Sequence, residues 1–143
     1  IQAVILLSQL RYLKKILLHR NKIAKIYQKY LNNSLFYTQL VLDKDSKNTF
    51  WRYPLYLSKK ISRSSLQTLC AKKHNFRVTW MYDPLCHQQP VFKKNIKLPK
   101  AEKLIKRLIN LPTHFFVKSS DAIRICKSLN LECNNLYAKN KDI

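Results

Sequence analysis

The sequence predicts an α/β (α+β) domain: a long N-terminal helix, then about three mostly antiparallel strands alternating with helices that cover one face of a small sheet. Three observations carry this. Ile1 to Leu31 keeps an apolar stripe at helical spacing with no Pro or Gly. Downstream, short aromatic and aliphatic runs alternate with capped amphipathic segments. And 143 residues with 46% apolar content suffice for one domain with a real core.

The stripe of the opening helix is Leu6, Leu10, Leu13, Leu17, Ala24, Tyr27 and Leu31, stepping by four and three except where polar Arg20 interrupts it. A helix of that span is roughly 45 Å long. Its first half also carries Val4, Ile5 and Leu7, so it is apolar on nearly every face, which belongs in a core. The expectation is that residues 1–31 link to a large domain lying upstream of Ile1, so that the chain is the back part of a longer protein. Residues 32–133 then form the small α/β domain, and 134–143 a frayed polar tail.

Asn32-Asn33-Ser34 reads as a turn, and Phe36 to Leu42 as a strand with Leu40 and Leu42 among its apolar groups. Asp43 to Asn48 is a polar loop. Phe50 to Leu57 reads as a second strand, with Pro54 implying an edge position or a bulge. Ser62 or Ser64 caps a helix that runs to about Lys73, with Leu66, Leu69 and Cys70 on its apolar face. His74-Asn75 ends it; in a chain without glycine, Asn is the residue best suited to the left-handed stop.

Phe76 to Tyr82 alternates Val78, Trp80 and Tyr82 and predicts a third strand. Asp83-Pro84 turns it into an irregular segment, Leu85 to Phe92, followed by a basic loop. Pro99 suits a first helical position, with Ala101, Leu104, Ile105, Leu108 and Ile109 as one apolar face. Asn110 to His114 is extended. Ser119 or Ser120 caps a last helix, with Asp121 in its first turn and Ile123, Ile125, Cys126 and Leu129 as apolar positions.

The formal charge is +21. One reading is a small basic module that binds nucleic acid or another polyanion, because Lys and Arg release counterions from phosphates. The other is compositional drift. The chain has 21 Lys against 7 Arg, with 12 Ile, 11 Asn and no Gly, a set that follows AT-rich codons. Base readers lean on Arg, and the pairs Lys14-Lys15, Lys59-Lys60, Lys72-Lys73 and Lys93-Lys94 are scattered, so drift is favoured. Weak, nonspecific polyanion binding is expected either way. No stretch approaches the roughly 20 apolar residues of a membrane span, so no membrane partner is expected. Cys70, Cys86, Cys126 and Cys133 match no zinc spacing; reduced thiols in a cytoplasmic protein are the reading they favour.

Several short motifs then line up in order. Ile1-Gln2-Ala3-Val4-Ile5, Gln9-Leu10 and His19-Arg20-Asn21-Lys22-Ile23-Ala24-Lys25-Ile26-Tyr27 come first. They are followed by Tyr53-Pro54-Leu55-Tyr56 and His74-Asn75-Phe76-Arg77-Val78. Pro84-Leu85-Cys86-His87-Gln88-Gln89-Pro90-Val91-Phe92 comes next. Last are Leu98-Pro99-Lys100-Ala101-Glu102-Lys103-Leu104 and Leu108-Ile109-Asn110-Leu111-Pro112-Thr113-His114. Together they resemble the DegT/DnrJ/StrS sugar aminotransferases over nearly the whole chain. The departures are Leu6 and Asn75, where the family has Gly, and a one-residue offset at Leu85-Cys86-His87.

The resemblance implies the small C-terminal domain of a fold-type-I enzyme. Such enzymes use pyridoxal phosphate, work as homodimers, and move an amino group onto nucleotide-linked keto-sugars in amino-sugar and polysaccharide biosynthesis. The lysine that binds the cofactor lies upstream of the matching segment, and Lys14, Lys15, Lys22 and Lys25 match no part of its motif. No catalytic residue, cofactor or metal is therefore expected for this chain alone. It would be inactive, either a decayed remnant or a partner of a separately encoded N-terminal half. His87 and Gln89 are the candidate substrate-binding residues, with a backbone-satisfied loop as the competing reading for each. Trp80 and Tyr82 read as sheet core, His19 and Arg20 as a solvated face or dimer contact, and His114 as a capping or packing residue.

Overall fold

The computed structural model describes residues 1–32, 35–39, 45–92 and 96–139. The opening helix forms as expected, as α1 (Gln2–Tyr30). Only its second half is in the core: Ile23, Ala24, Tyr27 and the following Leu31 are fully buried. Val4, Ile5, Leu6, Leu7, Leu10 and Leu13 all stand exposed, Val4 by 70%.

Three antiparallel strands follow in spatial order β1 (Tyr37–Gln39), β2 (Tyr53–Leu57) and β3 (Leu108–Leu111). Alternation along β2 buries Tyr53, Leu55 and Leu57 against the helices and half-buries Pro54 and Tyr56 on the other face. The expectation that Pro54 marks an edge or bulge is corrected, because β2 is the middle strand. The register explains the tolerance. Leu57 N–H donates toward β3, to Arg107 O, while Ser58 N–H donates toward β1, to Phe36 O. By alternation Pro54 faces the β1 side, and β1 as described stops at Gln39, opposite Leu55. The missing donor therefore interrupts no bond of the described ladder. Leu40 and Leu42, expected in the first strand, lie outside the described residues, as does the Lys93-Lys94 pair.

Helix α2 (Arg63–His74) is capped by Ser62, whose Oγ accepts from Ser65 N–H, and is stopped by Asn75 at φ 51°, the left-handed residue the sequence predicted. Helix α3 (Pro99–Ile105) starts on Pro99 at its first turn but is shorter than expected. Leu108 and Ile109, read as its apolar face, belong to β3 instead. Arg107 causes the change: its Nε donates to Leu57 O at 2.6 Å and its guanidinium lies 4.1 Å over the Tyr56 ring, drawing the chain onto β2.

Phe76–Tyr82 is not a strand. Only Thr79 bridges β3, through reciprocal backbone bonds with Asn110, and Tyr82 turns the chain outward at φ 63°. Phe50 likewise leaves the expected second strand at φ 45°. Helix α4 (Ser119–Lys139) begins at Ser119; the side chain bonding back is that of Asp121, which accepts from Lys118 N–H. It also absorbs the expected tail: Asn134 to Lys139 is helical because Leu136 and Tyr137 pack on the core, Tyr137 5.7 Å from Phe36. Residues 140–143 lie outside the described set.

Helix α4 packs against both α1 and α2, and its Ala122, Ile125, Cys126, Leu129 and Cys133 meet the inner face of the sheet in one core. Tyr27 closes the α1 side: its ring lies 5.1 Å from Tyr53 and its hydroxyl donates to Pro112 O at 2.8 Å. Burial raises the Tyr27 pKa and keeps that hydroxyl a donor.

Candidate functional site

The segment Asp83–Phe92 is an irregular loop with a single 3₁₀ turn, Cys86–Gln88. Its start is held at Asp83 by one residue. Ser62 caps α2, which makes Arg63 its first helical residue; from there the guanidinium pairs with Asp83 Oδ2 at 2.5 Å and donates to Ile105 O at 2.6 Å. It also lies 4.1 Å over the Trp80 ring. One forked cation thus ties the loop, the end of α3 and the start of α2 together.

Within the loop, Gln88 Oε1 accepts from Leu85 N–H, and Gln89 Nε2 donates to Pro84 O at 3.0 Å. His87 is nearly buried, with Nε2 3.0 Å from Glu102 Oε1. Glu102 also accepts Leu98 N–H at 2.9 Å, satisfying the start of α3. The Leu98 N–H bond first, then the His87 bond, holds the Glu102 carboxyl below its ordinary value. His87 and Gln89 therefore share a loop, as their spacing implied, but both side-chain groups are spent on fixing the loop's shape.

The other singled-out residues are dispersed. Trp80 is half-buried against Arg63, and Tyr82 is 62% exposed, so neither is sheet core. His19 Nε2 lies 3.2 Å from His114 O and its ring 5.1 Å from Phe115, a contact between α1 and the approach to α4. Arg20 is half-buried and its Nε has no hydrogen-bond partner. His114 O also accepts Val117 N–H, a turn into α4. Arg63, Asp83 and Glu102 escaped the sequence reading. Charge scarcity was the available signal: only seven acidic residues stand among 28 basic ones. Each of Asp83, Glu102, Asp121 and Glu132 is engaged by a basic side chain.

A second surface lies on the exposed half of α1, where Ser8, Gln9, Tyr12, Lys15, Ile16 and Phe115 line an apolar cavity of about 330 Å³. Among the described residues no cluster of His, Cys, Asp or Glu could hold a metal ion, and no helix is long and apolar enough to cross a membrane. The cavity that brings an amine and a carboxylate together does not fit a pyridoxal phosphate site. Lys73 and Glu132 line one cavity together, but Lys73 Nζ lies 3.5 Å from Glu132 Oε1 and the same oxygen meets His74 Nε2 at 2.9 Å. Neither an unpaired amine nor a carboxylate open to a ring nitrogen is available there.

No curated protein matches the chain. Its fold matches solved aminotransferases closely at low identity. TlmJ from Streptoalloteichus hindustanus is 21% identical with a TM-score of 0.81, over 90% of this chain and 35% of that one. The apo form of the sugar aminotransferase Spr1654 from Streptococcus pneumoniae gives 18% and 0.83, over 94% and 35%. DesV from S. venezuelae, solved with a ketimine intermediate, gives 18% and 0.80, over 92% and 36%. The chain thus spans about a third of the length of these structures. The sequence pattern of one family covers residues 1–130, from the exposed front of α1 to the middle of α4. The chain belongs to the DegT/DnrJ/EryC1/StrS aminotransferase family.

Proposed function

We propose that the chain is the small-domain portion of a cytoplasmic, pyridoxal-phosphate-dependent transaminase that places an amino group on nucleotide-linked keto-sugars for amino-sugar or polysaccharide biosynthesis. It is inactive alone and works in a homodimer or with a separately encoded N-terminal half. The observation that carries this reading is α1: half of it is core and half presents Val4, Ile5, Leu6, Leu7, Leu10 and Leu13 to solvent. An apolar helical face of that length is a surface for protein to cover. The family match across residues 1–130, and a chain that spans about a third of the length of the aminotransferases it resembles, support it. His87 and Gln89 are assigned to the substrate side through the loop they shape, with Arg63 and Glu102 as the groups that position that loop.

The test is an absorbance titration of the 143-residue chain with pyridoxal phosphate, alone and co-expressed with the first two-thirds of a relative such as Spr1654. The chain alone should give no saturable, one-to-one protein-bound band reducible by borohydride. The co-expressed pair should give one, and His87→Ala in that pair should raise KM for the nucleotide-sugar. A saturable, one-to-one reducible band with the chain alone would overturn the claim of inactivity.

A further inference from the structure

The front of α1 is apolar all round. Successive helical residues stand about 100° apart. Val4, Ile5, Leu6 and Leu7 are consecutive and each more than half exposed, so apolar side chains project on every side of the rod. Leu10, Tyr12 and Leu13 continue the exposure for another turn. Together these residues present roughly 800 Å² of accessible surface, about what one partner contributes to a standard interface. A socket opens on the same segment. The cavity of about 330 Å³ has Tyr12, Ile16 and Phe115 as apolar walls, with Lys15 Nζ 5.5 Å from the centre of the Phe115 ring. Phe115 is itself held by the His19 ring at 5.1 Å, which fixes that wall.

Behind the apolar turns comes a collar of charge. Arg11, Lys14 and Lys15 are exposed and lie three and four residues apart, hence on one side of the helix. None of them belongs to a described ion pair, and residues 1–31 hold no Asp or Glu. Shape and charge together decide the occupant. A second copy offers another convex rod, and two rods side by side leave the outer face of each in water. It also brings the same cations and no carboxylate on its own α1 to meet them. A groove encloses a rod on several sides, and an acidic rim on that groove answers the collar.

We infer that the front of α1 seats in an apolar groove of a different polypeptide, whose rim sets carboxylates against Arg11, Lys14 and Lys15. The same partner places one bulky apolar side chain in the socket of Tyr12, Ile16 and Phe115, which has room for an aromatic ring. The inference rests on the reading above that protein covers α1. Within that reading it assigns this face to a separately encoded half and not to a second copy of the chain.

Calorimetric titration of the 143-residue chain with synthetic helical hairpins, at physiological salt, tests this. The two helices of each hairpin form a leucine-lined groove, and Glu, Gln or Lys occupies its rim. The Glu hairpin should bind one per chain, at least about tenfold tighter than the Gln hairpin, with the Lys hairpin weakest. Leu7→Gln and Tyr12→Ala, at exposed positions that do not threaten folding, should each weaken the Glu hairpin about tenfold. Leu104→Gln, at an exposed position of α3, should stay within about twofold of the parent. Arg11→Gln, Lys14→Gln and Lys15→Gln together should bring the Glu and Gln hairpins level. Equal binding of those two by the parent, both lost in Leu7→Gln, would overturn the acidic rim and leave α1 a covered surface. A single Glu-rich helix without leucines that binds as well as the hairpin would mark polyanion binding by a +21 chain and overturn the groove. A discrete dimer dissolved by Leu7→Gln would give the face to a second copy. Capture by phosphatidylcholine–phosphatidylglycerol vesicles, lost in the same variant, would give it to a membrane; either result overturns the assignment. The transaminase reading is judged apart from all of these, by the co-expressed pair.

Discussion

Glu132→Gln should destabilise the chain, and the loss should depend on pH in a stated direction. The Glu132 side chain is 2% exposed on α4 and accepts from His74 Nε2 at 2.9 Å and Asn135 Nδ2 at 3.4 Å, with Lys73 Nζ 3.5 Å away. Arg124 adds a second link by donating to His74 O at 2.6 Å, so the end of α2 is fastened to α4 at two points. Burial alone would raise the Glu132 pKa; the hydrogen bonds from His74 and Asn135 and the charge of Lys73 outweigh it and hold the pKa below its ordinary value. The amide keeps the shape and one acceptor but removes the charge. Charge-assisted bonds contribute roughly 1 kcal/mol more than neutral ones, so losing that assistance at His74 and Lys73 costs about 2 kcal/mol. For a domain of this size that lowers Tm by roughly 8 °C. The sign follows from the depressed pKa: the contribution is full above the ordinary carboxylate value and fades as pH falls through the folded one. Melting both proteins by circular dichroism from pH 7 to pH 3 should show the gap closing below about pH 4.5. A gap under 1 °C at pH 7, or one that stays constant down to pH 3, would refute the argument.

Asn75→Ala should cost about 1 kcal/mol in urea unfolding, since a β-carbon without a side-chain amide is unfavourable at φ 51°, whereas Asn75→Gly should leave stability within a few tenths. Of the four thiols, Cys86 is exposed and the other three are buried. Burial, then the charge of Glu132, pushes Cys70 up to about 12; burial pushes Cys126 up to about 12 and raises Cys133 as well. A disulfide reagent at pH 8 should therefore titrate one thiol rapidly and the remaining three only in denaturant. Arg63→Gln should release the Asp83–Phe92 loop, seen as protease cleavage between Tyr82 and Phe92 at least about tenfold faster than in the parent, with a Tm loss of only a few degrees.

What could be read from the sequence was whatever depended on local spacing. The long helix, the Ser62 cap, the Asn75 stop and Pro99 at the first turn of α3 are each decided within a few residues, and each appears as expected. What could not be read was decided by partners far along the chain. Leu108 and Ile109 fit a helical stripe equally well; Arg107, reaching Leu57 and Tyr56, makes them a strand. Trp80 and Tyr82 alternate like sheet residues, but Arg63 holds the first and a left-handed backbone turns away the second. At the candidate site, the His87–Gln89 loop was legible as a motif. The groups that hold it, Arg63, Asp83 and Glu102, lie 20 and 15 residues apart in their pairings and leave no periodic trace.

The same contrast bears on how the charge should be understood. With 28 basic and seven acidic residues, most cations of this chain have no carboxylate to meet. Four of the seven acids are placed where geometry needs a fixed anion: Asp83 at the loop, Glu102 at the start of α3, Asp121 at the start of α4, and Glu132 in the α2–α4 joint. The surplus lysines are mostly exposed and scattered, and a solvated lysine contributes little to the fold. Drift toward lysine could therefore proceed across the surface without disturbing the core, while loss of any of these four acids would not be neutral. Arg20 and Arg52 stand apart from both groups: each has a buried Nε without a hydrogen-bond partner and no carboxylate among the described ion pairs. The net charge of the solvated lysines therefore weighs little on the fold, whereas each of these two buried, unpaired donors costs stability, because it has given up water without gaining an acceptor.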